Sequence, residues 1–306
     1  MLASLLNKFV CAVSFSTALW PGFPPLPFPR SRLPHWHLPW KSTGGIPQQV
    51  YDELVRYTQY SSAVYQPLCP NPLGNELVTE FTNLLTGVHG FVARDDGRQE
   101  VIVAFRGSQQ LPDMLTDSNM LLIPLDSVGP PLNGSGDARV HAGFGVAFGS
   151  VSDLVLDIVV EQLRQYPSYS VVLTGHSMGG ALAAIGGTLL KANATGAAVR
   201  VFTFGQPRTG DANFADLLDK LIGSDNVFRA VHTWDGVPTI IPRSLGYHHH
   251  STEYWHFQEP PSRKNVRQCT GQEDPKCSAA VPSTGINLAH DVYFGQVMTT
   301  DATLCL

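Results

Sequence analysis

From about residue 90 to residue 257, short apolar runs alternate with longer stretches in which apolar positions recur every three or four residues. The runs VIVAF, SVVLT, VRVFTF, NVFRAVHT and a late EYWHF read as strands. They are nearly continuous β-branched and aromatic segments, as expected of strands covered on both faces. GFVARDDGRQEVIVAF reads as a hairpin with Asp96 and Gly97 in its turn. Between the runs, VAFGSVSDLVLDIVVEQLRQYP, MGGALAAIGGTLLKA and ANFADLLDKLI read as helices. An earlier helix is expected from about Pro47 to Tyr65, with Val50, Leu54, Tyr57 and Val64 near helical spacing and proline in its first turn. Strand and helix signals alternating in this way predict an α/β fold, a mostly parallel central sheet flanked by helices.

The N-terminal region breaks that pattern. Lys8, the apolar run FVCAVSFSTAL and the small residues Ser16 and Ala18 read as an export signal over residues 1–18, a short buried helix being the competing reading. Residues 19–45 are crowded with proline and read as a pro-segment or extended arm, because proline removes backbone donors and blocks helix interiors. The α/β domain is then expected over residues 46–306. No later segment reaches bilayer-spanning length, so the reading is a secreted protein without an integral membrane segment.

Composition narrows the partners. A net charge of −5 over 306 residues leaves no basic surface on which nucleic acid phosphates could be neutralised. With Cys11 inside the export signal, Cys69, Cys269, Cys277 and Cys305 remain, and four cysteines allow three pairings. The favoured pairing joins Cys269 to Cys277 across a polar loop and Cys69 to Cys305, tying the N-terminal helix to the C-terminus. Sequons at Asn133 and Asn193 fit glycosylated surface loops on a secretory route.

Candidate chemistry centres on VVLTGHSMGGALAA, residues 171–184, which contains a GxSxG pentad around Ser177. Such a pentad arises by chance in roughly one chain of this length in ten, so its context decides. Here a strand precedes it and small residues open a helix after it, the setting of a strained turn that presents a serine at a sheet's C-terminal edge. A serine needs a base, and the base an acid partner. Asp235 follows the strand NVFRAVHT in a glycine- and proline-marked turn, a capping aspartate being the alternative; His290, in NLAHDVYFG, follows it in the chain. The backbone N–H of Met178 and the N–H or hydroxyl of Ser108 are the candidate oxyanion donors. The histidines of YHHHSTEYW point to alternate faces in an extended chain. No metal or cofactor is expected.

Taken together, VAFRGS, VHAGF, TGHSMGGALA, FGQPRTG, FRAVHTWDGVPTIIP, GYHHHSTEYW and AHDVYFG resemble the fungal class 3 lipases and the related feruloyl esterases, in the family's order. The resemblance implies an α/β-hydrolase fold with a short helical lid. It also implies Ser177 as nucleophile, Asp235 as acid, His290 as base and Ser108 with Met178 as oxyanion hole, while His249 and Glu253 fall at positions that look structural. The segment at the family's lid position carries Leu111, Met114 and Leu115 at i, i+3 and i+4, one apolar face of a short helix. That face favours an acylglycerol substrate at a lipid–water interface. A smaller ester such as a feruloyl ester is the first alternative, and a catalytically silent lipid-binding protein the second.

Overall fold

The structure, a computed structural model, describes residues 44–108, 120–130, 132, 136–193 and 196–306. The expected export signal, all but the last two residues of the proline-rich segment, the lid residues Leu111, Met114 and Leu115, and the sequon asparagine Asn133 lie outside the described residues.

Eight strands build the main sheet: β1 (Glu76–Asn83), β2 (Val88–Asp95), β3 (Glu100–Phe105), β4 (Ser170–His176), β5 (Val199–Phe204), β6 (Val227–His232), β7 (Glu253–His256) and β8 (Val266–Gln268). Their order across the sheet is their order in the chain. From β3 to β7 neighbouring strands are parallel; β1 and β2 at one edge, and β8 at the other, are antiparallel to their neighbours. Crossovers between parallel strands are supplied by α2 (Ala142–Gly149) with α3 (Ser152–Gln165), by α4 (Met178–Asn193) and by α5 (Ala212–Ile222). The N-terminal helix α1 is Gln48–Ala63.

The two-residue period of a strand divides the core. Val101, Val103, Phe105, Val171, Leu173 and Val201 join the buried faces of α2 to α5. Ile102, Ala104, Val172, Phe202, Phe204 and Phe228 face the other way, onto Leu54, Tyr57 and Tyr60 of α1. Each of those α1 side chains is fully buried and contributes about 1.5–3 kcal/mol on leaving water. A polar seam fixes the helix's register: Arg200 of β5 bonds Glu53 at 2.8 Å and Glu100 at 2.5 Å, and the Tyr57 hydroxyl donates to Glu100 at 2.8 Å.

Three features differ from the sequence expectation. The expected helix VAFGSVSDLVLDIVVEQLRQYP is two helices, α2 and α3, bent by 55°. Val151 at the joint has φ −131° and ψ 0°, outside the helical region, and the Ser150 hydroxyl donates back to the Ala147 carbonyl. A Cβ at Gly149 would come within 2.9 Å of the Val128 carbonyl, so the first helix presses its end against the chain. Secondly, the expected hairpin gains an outer strand, β1, and the sheet gains β8; both are edge strands, and β1 leaves most of its side chains partly in water. Thirdly, Asn193 lies in the last turn of α4 rather than in a loop, exposed, its amide donating to the Leu189 carbonyl.

Cys69 is bonded to Cys305 and Cys269 to Cys277. The first closes a span of 236 residues and the second one of 8. On chain-entropy grounds, replacing Cys69 and Cys305 by serine is expected to cost about 5 kcal/mol and replacing Cys269 and Cys277 about half as much. Guanidinium unfolding of the two double variants checks the order; equal losses would contradict it.

Candidate active site

The turn between β4 and α4 is set by what glycine lacks. Ser177 has φ +58°, in the left-handed region that costs an ordinary residue energy. The conformation persists because its surroundings close around it without side chains. A Cβ at Gly175 would sit 2.3 Å from the Gly179 carbonyl, and one at Gly179 would sit 2.1 Å from the Phe105 carbonyl of β3. Helix and strand therefore approach backbone to backbone. The Ser177 N–H donates to the Phe204 carbonyl of β5 at 2.8 Å, anchoring the turn to the sheet. Met178 begins α4, so its N–H is among the first-turn donors that have no carbonyl within the helix.

Asp235 and His290 come to this turn from different directions. Asp235 follows β6, its own N–H donating to the His232 carbonyl. One carboxylate oxygen accepts the Val237 N–H at 2.9 Å; the other accepts His290 Nδ1–H at 2.8 Å and the Tyr293 hydroxyl at 2.5 Å. Both Asp235 and His290 are buried. Burial and the adjacent Asp235 charge push the Tyr293 hydroxyl well above its ordinary range, so it stays a phenol and a donor. With Nδ1 committed to the acid, His290 has Nε2 for chemistry. Its ring rests on Gly205, which has φ +61° and where a Cβ would lie 2.8 Å from the imidazole.

Ser177, His290 and Ser108 line one cavity of about 680 Å³. Ser108 reaches it from the 106–108 segment after β3, and Gly107 beside it packs so closely that a Cβ would lie 2.2 Å from the Tyr65 hydroxyl. The cavity's outer wall includes Leu84 and Leu85, at the tip of the β1–β2 hairpin, and Ile286. A serine on a strained turn and a histidine oriented by a buried carboxylate, lining one cavity, form an arrangement suited to acyl transfer.

His249 and His250 of the sequence reading are engaged elsewhere. His249 donates Nε2–H to the Pro238 carbonyl at 2.7 Å and is held well below its ordinary pKa by burial; His250 contacts Gln206 and the Ser251 carbonyl. Glu253 pairs with the fully buried Arg229 at 3.1 Å and accepts the Ser278 N–H. Among the described residues two groups have metal-capable atoms close together. In one, Cys269 and Cys277 are consumed by their disulfide; in the other, His232 and Glu259 already share a hydrogen bond of 2.6 Å. Sequence reasoning passed over Tyr293 and Tyr65. Tyr293 lies three residues after His290 in AHDVYFG, but an apolar neighbourhood alone does not reveal a hydroxyl aimed at an acid.

The model of the family described as lipase (class 3) matches residues 102–245. A lipase of Rhizomucor miehei is 32% identical over 272 residues, spanning 82% of this chain and 71% of that protein. The secreted mono- and diacylglycerol lipase 1 of Fusarium solani is 30% identical over 262 residues, spanning 82% and 75%. A solved triacylglycerol lipase, its catalytic centre described as a serine protease triad, aligns with a TM-score of 0.71 at 29% identity, covering 86% of this chain and 99% of that one.

Tyr293→Phe keeps the ring's packing and removes one of the three hydrogen bonds to the Asp235 carboxylate. It is expected to cost about 1.5–3 kcal/mol of stability, the value of a hydrogen bond to a buried charge. Urea unfolding at neutral pH reads the difference, and an unchanged midpoint would detach Tyr293 from the acid.

Proposed function

The chain belongs to the class 3 lipase family, and on that premise we propose that it hydrolyses acylglycerol esters through an acyl-enzyme formed on Ser177. The observation that carries this reading is the 2.8 Å bond between His290 Nδ1 and the buried Asp235 carboxylate, with His290 and Ser177 lining one cavity. In the first half-reaction Ser177 Oγ attacks the ester carbonyl carbon while His290 Nε2 takes the hydroxyl proton. The oxyanion forms against the N–H of Met178 and the N–H or hydroxyl of Ser108. His290 then gives its proton to the departing alcohol, and Asp235 balances the imidazolium in between. Water activated by the same histidine releases the fatty acid and restores Ser177.

Lipid as the substrate class is supported by the rim of the cavity. Leu84 and Leu85 are 90% and 98% exposed, yet their turn is ordered: the Asn83 carboxamide oxygen accepts the N–H groups of Leu85 and Thr86, and Thr86 bonds Ser150 at 2.9 Å. Two leucines held out in water at a cavity mouth fit contact with an oil or membrane surface. The named relatives and the two disulfides favour an exported enzyme working on such surfaces.

Ser177→Ala should keep the fold and abolish hydrolysis of emulsified triglyceride, measured by fatty-acid titration; retained turnover would remove the mechanism. Methyl ferulate offered in parallel separates the small-ester reading, which requires it to be the faster substrate. Replacing both Leu84 and Leu85 by serine should lower the emulsion rate by about tenfold or more, since each leucine withdrawn from water is worth about 1.5–3 kcal/mol. The same double variant should lose less against a monomeric short-chain ester, and equal losses would place the two leucines in the cleft rather than at the interface.

A further inference from the structure

His290 sits in a short turn, Leu288–Asp291, whose backbone is held at two successive carbonyl oxygens by two other buried histidines. Nε2 of His176 lies 2.8 Å from the carbonyl oxygen of His290, and Nδ1 of His232 lies 2.9 Å from that of Ala289. Carbonyl oxygens only accept, so each of those ring nitrogens carries a proton. For His176 this fixes the tautomer. Its Nδ1 accepts from the Tyr65 hydroxyl at 2.8 Å, and the Tyr65 oxygen packs directly against Gly107. Burial and the nearby His290 hold the His176 pKa well below its ordinary range, so the ring stays neutral beside the base, 4.4 Å away between centroids. For His232 the far nitrogen faces the half-exposed Glu259 carboxylate at 2.6 Å, and His256 stacks on the ring.

Each of these histidines neighbours a different member of the triad in sequence. His176 immediately precedes Ser177 at the end of β4, and His232 ends β6, three residues before Asp235. Resting on the triad reading above, we propose that His176 and His232 are positioning residues that lock the backbone of His290 to the nucleophile's strand on one side and the acid's strand on the other. Tyr65 extends the first contact toward the Gly107–Ser108 segment, against which its hydroxyl packs. The bond to Asp235 orients the His290 imidazole, but it leaves open where the ring is carried. The two carbonyl contacts set that, and displacements below an ångström at a reacting nitrogen are felt strongly in rate.

The geometry provides a test that a merely structural role would fail. An asparagine amide nitrogen lies near the place of histidine Nδ1, and a glutamine amide nitrogen near that of Nε2. His232→Asn and His176→Gln therefore keep the donor in register, whereas His232→Gln and His176→Asn displace it. The readout is the rate at which a soluble p-nitrophenyl alkylphosphonate releases p-nitrophenol on reacting with Ser177, with thermal unfolding followed alongside. Matched variants are expected within about threefold of the parent and displaced ones slower by about thirtyfold or more, at similar unfolding midpoints within each pair. Equal rates in matched and displaced variants overturn the proposal. Glu259→Ala, at a half-exposed site whose loss leaves the core packed, is expected to slow the reaction about threefold through His232; an unchanged rate overturns that half. A parent protein inert to the phosphonate would instead overturn the triad reading itself.

Discussion

The active site depends on a place where two pieces of backbone come closer than any side chain permits. Gly179 lies against the Phe105 carbonyl and Gly175 against Gly179, and between them Ser177 is forced to a positive φ. The strain belongs to one residue; the packing that holds it belongs to β3, β4 and α4 together. A relaxed Ser177 would have to push the helix off the sheet, and that helix has thirteen buried residues. The hydroxyl is thus held at the sheet edge by the cohesion of the whole α4 face together with the Ser177 N–H bond to the Phe204 carbonyl.

Around that fixed point the other groups are placed by hydrogen bonds to backbone. Asp235 accepts the Val237 N–H, and the Asn287 amide on the base's side donates to the Trp234 carbonyl on the acid's side. His290 is positioned through its carbonyl as well as its ring. His176, buried and held neutral, suits this work because it offers one donor and one acceptor in a rigid plane.

Much of the fold was legible in the chain because the central strands are covered on both faces. VIVAF, SVVLT and VRVFTF have almost no exposed position, and that continuity is what the apolar runs record. The edges were less legible for the same reason. In ELVTEFTN most positions are half in water, and VRQ is three residues long, so neither forms an apolar run. The bend at Val151 was hidden because the apolar pattern continues across it while the backbone does not. The strained turn at Ser177 could be read locally, from the spacing of glycines, and the meeting of Asp235 with His290 from chain order and strand ends. Tyr293, His232 and Tyr65 could not, since their partners lie 58, 57 and 111 residues away and no local pattern encodes such a meeting.

The strands lie side by side in the order in which they occur in the chain. A ribosome therefore delivers this sheet from one edge to the other, each new strand finding its neighbour already made. The serine leaves early, with β4; the aspartate follows β6; the histidine comes only after β8 has closed the far side. Synthesis runs for more than a hundred residues between Ser177 and His290. On the mechanism proposed above, the group that would activate the serine is thus the last of the three to leave the ribosome.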